Sequence, residues 1–247
     1  AEVPVVAPIK HNGQSLFEHQ GYLFTLFPSV GGRLFEVDNL DQLDVLGRLI
    51  GRMHQVAKTQ PFTQRPIVSC DEYRHTAKVH LQKSNLVPMG LETSFYTILD
   101  LVIAQAQLQY KNVDNIRLHG DCHAGNILWA GDALMFVDLD DSRQGPAIQD
   151  LWMMLSGDRQ TQLLQLDTLV NAYEEFCDFD HSQLKLIEPL RAMRMIHYMG
   201  WVAKRWSDPA FVRNFSWFAD DKYWEQQILA LKEQLAALQE APLKLLP

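Results

Sequence analysis

Residues 117–141, RLHGDCHAGNILWAGDALMFVDLDD, constrain this chain more than any other stretch. Three His or Asp side chains crowd the start (His119, Asp121, His123), and three carboxylates crowd the end (Asp138, Asp140, Asp141). Between them lie two apolar runs, Asn126–Trp129 and Leu134–Val137, on either side of the turn-capable Ala130-Gly131-Asp132-Ala133. The pattern predicts a β-hairpin over 126–138. A turn centred near Asp132 sets Asn126 opposite Asp138, one strand spacing of about 5 Å away. Clustered carboxylates each raise the cost of ionising the next, and a cation offsets that repulsion. Amide and carboxylate oxygens are hard ligands, suited to a Mg²⁺ that keeps waters and takes its other ligands from phosphates. Asp121 lies upstream of Asn126 on the loop entering the hairpin. An Asp beside a metal held by Asn and Asp is what deprotonating a hydroxyl and moving a phosphoryl group to it requires.

The rest of the composition bounds the setting. The 247 residues suffice for one large domain or two small ones with a substantial core. No apolar run reaches the roughly eighteen residues of a membrane span, and no signal-peptide pattern opens the chain. A net charge of −8 argues against sequence-independent binding to nucleic acid or membrane. Cys70, Cys122 and Cys177 are odd in number and widely spaced, which suits a reducing, cytoplasmic compartment. The chain opens on Ala1 and runs directly into a strand-like segment, as though it began partway through a domain.

Apolar or aromatic runs at 3–9 and 15–28, punctuated by Asn12-Gly13 and Gln20-Gly21, read as short strands. The breakers in PSVGGR (28–33) read as a hinge. Leu43, Leu46, Ile50, Met53 and Ala57 form one helical stripe over 39–58, and Leu91, Phe95, Ile98 and Val102 another over 91–109. Residues 61–90, with prolines at 61, 66 and 88, carry no clear pattern. Helices are expected over 148–155, 162–176, 184–206 (Pro189 early) and 223–239. The last reads as a terminal helix docked on the core, with a coiled-coil arm as the alternative.

The motifs HGDCHAGNIL, FVDLDD and GPAIQDLW resemble the aminoglycoside phosphotransferase and choline kinase branch of the protein-kinase-like fold. FPSVGGR and EPLRAMRM extend the likeness across the chain, toward bacterial serine/threonine kinases of the stress response. The resemblance implies an α+β fold: a partial β N-lobe (1–28), a hinge or linker (29–38) and a mainly helical C-lobe (39–247). It implies ATP and Mg²⁺ as cofactors and Asp121 as catalytic base. Asn126 and Asp138 become the metal ligands, Asp138 thereby joining the catalytic set, and the adenine lies near Phe27, Pro28 and Ser29. The family's glycine-rich phosphate loop and phosphate-pairing lysine have no counterpart in residues 1–247. Lys10 is not one, so the chain by itself is expected to be catalytically silent. A monomer phosphorylating protein serine or threonine is the implied function. The short segment after Asp138 keeps a small alcohol of aminoglycoside, choline or homoserine type as the alternative acceptor, and a non-catalytic pseudokinase or scaffold as a further one.

Each neighbouring residue has a plainer role beside a functional one. His119 is expected to hold the loop by hydrogen bonds. His123 either faces solvent or meets substrate, and Asp140 either assists a second metal or is an exposed loop carboxylate. Asp150 is expected to be a buried partner of catalytic-loop N–H groups, with helix capping as the alternative. Arg191 and Arg194 pair with surface carboxylates or meet an anionic substrate. Trp201, Trp206 and Trp217 are core or groove wall, with substrate stacking as the rival. Cys122 is a buried filler unless it senses oxidants. A metallohydrolase would also use HGDCH, yet the other histidines (11, 19, 54, 75, 80, 181, 197) form no spaced pair with Asp.

Overall fold

The computed structural model describes residues 3–111, 113–130 and 133–246, with residues 72–75 by backbone alone. Ala1, the turn residues Gly131 and Asp132, and the His75 side chain lie outside them. The chain forms two units: Ala1–Pro66 with Ile116–Asp180 and Leu245–Pro247, and Ile67–Asn115 with His181–Lys244.

In the first unit both expected turns form. Asn12 and Gly13 have φ of 51° and 81°, as do Gln20 and Gly21, the left-handed pair that a tight two-residue hairpin turn requires. The second joins β1 (Phe17–His19) to β2 (Tyr22–Phe24), pairing Phe17 with Phe24. Residues 3–9 form no strand: only Val5 bridges, in parallel, to Phe136. Pro4 and Pro8 lack the N–H groups a longer ladder needs.

β3 (Arg33–Leu34), inside the expected linker, pairs antiparallel with β5 (Ile127–Ala130), and β5 with β6 (Ala133–Phe136). The hairpin register is one residue off the expectation. Ala130 pairs with Ala133, and the Val137 N–H donates to the Asn126 carbonyl at 3.0 Å. Asn126 therefore faces Val137 rather than Asp138, because the turn holds two residues and is not centred on Asp132.

The sequence pattern does not announce β4 (Ile116–Leu118) and β7 (Arg143–Gly145), which pair antiparallel. Their ladder lays the loop after Leu118 alongside residues 140–142. The two charged clusters thus lie side by side.

α1 (Leu40–Ala57) starts where Asn39 accepts a hydrogen bond from the Gln42 N–H and buries Leu43, Leu46, Ile50 and Ala57. It packs on α4 (Arg159–Glu174) with almost no space between the backbones. A Cβ on Gly47 would lie 2.5 Å from the Leu169 carbonyl oxygen, and one on Gly51 2.5 Å from that of Tyr173. Gly51→Ala is therefore expected to force the helices apart and cost about 1–3 kcal/mol, read as a lower denaturant midpoint with an unchanged slope. The expected helix over 148–155 is instead two 3-10 turns, Ala147–Asp150 and Trp152–Met154. Ile148, Leu151, Trp152 and Met154 are all buried there, and so are the polar Gln149 and Asp150, so the segment has no solvent face to set an α-helical stripe.

The second unit is helical: α2 (Cys70–Ser84), α3 (Glu92–Gln109), α5 (Ile187–Lys204), α6 (Pro209–Asn214) and α7 (Asp221–Gln239). α2 escaped the pattern reading, although all three prolines fall outside it. α5 carries Pro189 in its first turn, behind a 3-10 segment at His181–Leu186. α7 docks on α3, burying Trp224, Ile228, Leu231 and Leu238. Trp201, Trp206 and Trp217 belong to an aromatic cluster with Phe211, Phe215, Phe218 and Tyr223. Arg191 lies 3.3 Å from Glu188, one turn away, as the plainer reading expects, and Arg194 is exposed. Among the described residues no helix is long and apolar enough to cross a membrane.

Candidate active site

β4 ends at Leu118, and the chain enters the loop His119-Gly120-Asp121 in the first unit. Gly120 has φ 87°, and a Cβ there would lie 2.3 Å from the Asp141 carbonyl oxygen, so this corner admits only glycine. The fully buried Asp150 anchors it, accepting from the His119 N–H at 2.8 Å and the Gly120 N–H at 2.9 Å. This is the loop-anchoring role expected of Asp150.

His54, which sequence reasoning left without a role, is also fully buried, with Nε2 3.0 Å from the same carboxylate. Burial alone works to raise the Asp150 carboxyl. The hydrogen bond from His54, the His54 and His119 imidazoles and the Gly120 N–H outweigh it and hold the carboxyl below its usual range. On the far side, His54 Nδ1 lies 3.1 Å from the Tyr173 hydroxyl, itself 3.3 Å from Cys177 Sγ. Gln149 also grips the loop, donating to the Gly120 carbonyl at 3.1 Å while accepting from Trp152 Nε1 at 3.0 Å.

The loop's other attachment is to the hairpin. His119 Nε2 donates to the Val137 carbonyl at 2.9 Å, which matches its expected structural role. Asn126 is buried, and its Nδ2 donates to the Asp121 carbonyl at 2.9 Å. With the amide nitrogen committed to the loop, the carboxamide oxygen is the donor Asn126 presents to a cation. Asp138 has φ 58° and ψ 66°, an uncommon left-handed conformation for a residue other than glycine, and its side chain is exposed. A one-residue slip in a regular ladder would move its side chain to the opposite face. The left-handed turn breaks that alternation, so the turn and not the pleat sets the direction of this carboxylate.

Asp121 is partly exposed, and His123 Nε2 lies 3.4 Å from its Oδ2. His123 Nδ1 accepts the Gly125 N–H at 3.0 Å, capping the 3-10 turn Ala124–Asn126. The His123 side chain is 36% exposed, in keeping with a solvent-facing loop histidine, while its Nδ1 engages the loop. Asp140 is exposed, and its carbonyl accepts from Arg65 at 2.6 Å. Arg143, mostly buried and unremarked in the sequence reading, pairs with Asp141 at 2.8 Å. The Cys122 thiol is fully buried and pushed well up, first by burial and then by the charges of Asp150 and Asp121, so it stays protonated as a filler would. Among the described residues no three His, Cys, Asp or Glu side chains converge as a metal-ligand group. Asn126 and Asp138 each carry a hard side-chain oxygen, the ligand type that a Mg²⁺ keeping water and phosphate ligands takes.

A sequence profile of the phosphotransferase enzyme family matches residues 1–187. Stress response kinase A of Escherichia coli O157:H7 is 51% identical over 247 residues, all of this chain and 75% of that protein. The serine/threonine protein kinase RdoA of Salmonella typhimurium is 49% identical over the same shares. Among solved structures, an amicoumacin kinase in complex with AMP-PNP, Ca²⁺ and Ami superposes with TM-score 0.70 at 14% identity, covering 98% of this chain and 74% of that one. A microcompartment-associated aminopropanol kinase superposes with TM-score 0.66 at 15% identity, covering 99% and 79%. These two carry the fold: an α+β architecture of the phosphotransferase type, with small sheets and a largely helical body. Matched by the family profile and sharing about half its positions with kinases along its entire length, the chain belongs to the phosphotransferase enzyme family and is a kinase.

Proposed function

We propose that this kinase uses Mg²⁺ and ATP to phosphorylate serine or threonine hydroxyls of protein substrates. One observation carries the reading: a single loop, tied to Asp150 at one end and to the hairpin at the other, carries Asp121 and Asn126 and abuts the strand end bearing Asp138. When bound, Mg²⁺·ATP supplies the phosphoryl group and the charge neutralisation that its transfer needs. Asn126 and Asp138 would hold the metal by their side-chain oxygens. Asp121 accepts the proton of the attacking hydroxyl, and Phe27, Pro28 and Ser29 form the adenine-side hinge between residues 1–28 and the helical body. Asp138→Ala should therefore weaken Mg²⁺·ATP binding itself, seen by titration calorimetry. The relatives of about half identity, one of them named a serine/threonine protein kinase, support the acceptor class. A cytoplasmic monomer completes the proposal.

A small alcohol acceptor is the second reading, favoured by the segment after Asp138. Only the 3-10 turn Leu139–Asp141 and β7 separate it from the Ala147–Asp150 turn, with no long substrate-binding segment between. Incubating the protein with labelled ATP, with and without mixed histone, separates the two. Label on serine or threonine supports the protein kinase. Label appearing only on an added amino alcohol or aminoglycoside decides for the small-molecule reading.

A further inference from the structure

The left-handed conformation of Asp138, φ 58° and ψ 66°, costs an aspartate energy and persists only where its surroundings dictate it. The chain on either side of it is tied down. On the entry side the Val137 N–H donates to the Asn126 carbonyl at 3.0 Å, and the Val137 carbonyl accepts from His119 Nε2 at 2.9 Å. On the exit side the Leu139 carbonyl accepts from the Ser142 N–H at 3.1 Å and from the Ser142 hydroxyl at 2.7 Å. The last carbonyls of a helical turn find no partner within it, and cationic side chains commonly meet them. Two arginines do so here. Arg143 Nε donates to the Asp141 carbonyl at 2.9 Å, and Arg65 donates to the Asp140 carbonyl at 2.6 Å. Asp138 lies between the two sets of ties, and the bend falls on it.

Arg65 reaches this turn from 75 positions away, on the segment that follows α1. That segment is itself held. The Pro66 carbonyl accepts the Gln144 N–H at 2.9 Å, and the Phe62 carbonyl accepts from Gln144 Nε2 at 3.3 Å. The guanidinium is thus delivered to the turn by backbone already docked on β7, which lowers the entropy cost of keeping it there.

We propose that Arg65 is a positioning residue for the metal site: by holding the Asp140 carbonyl, its guanidinium keeps the Asp138 turn left-handed and the carboxylate placed for the cation. This inference rests on the reading of Asp138 as a metal ligand. Without the tie, Asp138 relaxes toward the right-handed and extended conformations that an aspartate prefers. Only the molecules still holding the turn then bind the metal as the wild type does, and the apparent affinity falls by that fraction. Charge alone predicts the opposite sign. A guanidinium near a cation site repels the cation, so a purely electrostatic Arg65 would weaken Mg²⁺ binding, and its removal would tighten it.

Arg65 is exposed, so its replacement leaves the core intact and the denaturant midpoint close to that of wild type. Arg65→Ala, Arg65→Lys and Asp138→Ala are to be titrated calorimetrically with Mg²⁺·ATP, and with ATP in EDTA. Arg65→Ala is expected to weaken Mg²⁺·ATP binding about tenfold, within what release of a strained backbone residue can cost, and to leave metal-free ATP binding unchanged. Arg65→Lys, which retains a charged donor on a long stem, should recover most of that loss. Unchanged or tighter Mg²⁺·ATP binding in Arg65→Ala overturns the proposal. So does an equal loss with metal-free ATP, or an Arg65→Lys protein as weak as Arg65→Ala. If Asp138→Ala weakens Mg²⁺·ATP binding while Arg65→Ala does not, the positioning role alone fails. If Asp138→Ala binds Mg²⁺·ATP like wild type, the metal-ligand reading fails and takes the positioning role with it.

Discussion

Asp121→Asn in the full-length protein is expected to lower phosphoryl transfer at least about 10²-fold, the low end of what a positioned general base contributes. The substitution is nearly isosteric and leaves the loop in place. The bond from Asn126 Nδ2 is accepted by the backbone carbonyl of residue 121, and the anchors to Asp150 come from His119 and Gly120. What changes is the capacity to accept a proton. Mg²⁺·ATP affinity should stay nearly constant, the opposite of the outcome expected for Asp138→Ala. Initial rates with saturating labelled ATP, together with calorimetric titration of the nucleotide, separate the two effects. Near-normal turnover in Asp121→Asn would remove Asp121 from the role of base.

Asp150→Ala is expected to be the most destabilising change in the molecule. It would strip the His119 N–H, the Gly120 N–H and His54 Nε2 of their shared partner in a fully buried place. Breaking a buried charged network from one side costs about 3–5 kcal/mol, and denaturant unfolding measures it. Activity should fall as well, since the loop that carries Asp121 loses its anchor. The pH dependence follows from the direction of the Asp150 shift. Its folded carboxyl sits below the usual range, so the stability it contributes is fully present above the unfolded-state value, about 4 for an ordinary aspartate. That contribution drains away as the pH falls from there through the lower folded value. Wild type should lose stability along this acid limb, and Asp150→Asn should show a shallower one. Identical acid limbs in the two proteins would mean that the Asp150 carboxyl is not the group responsible.

Much of this site is written locally. The spacing of Asp121, Asn126 and Asp138, the alternation that makes the hairpin, the two Xaa-Gly turns of the first unit and the Asn39 cap all depend on neighbours a few residues away. Side-chain period and turn chemistry encode such features directly. The stripe of α7 likewise announced a docked helix. The register of the hairpin was legible only to within one residue, because it depends on how many residues the turn contains and on the left-handed geometry at Asp138.

Other features belong to the packed molecule. The β4–β7 pairing, which brings the two charged clusters side by side, joins two three-residue segments with no alternating signature of their own. His54 lies 96 positions from Asp150 and reads in the sequence as one more residue near the end of a helix. It reaches the carboxylate because Gly47 and Gly51 let α1 press against the backbone of α4, where a single methyl group would not fit. Short-range periodicity thus supplied the residues of the site and their order. Their anchoring came from the close packing of helices and strands distant in sequence, since a buried carboxylate keeps its charge only where that packing delivers donors to it.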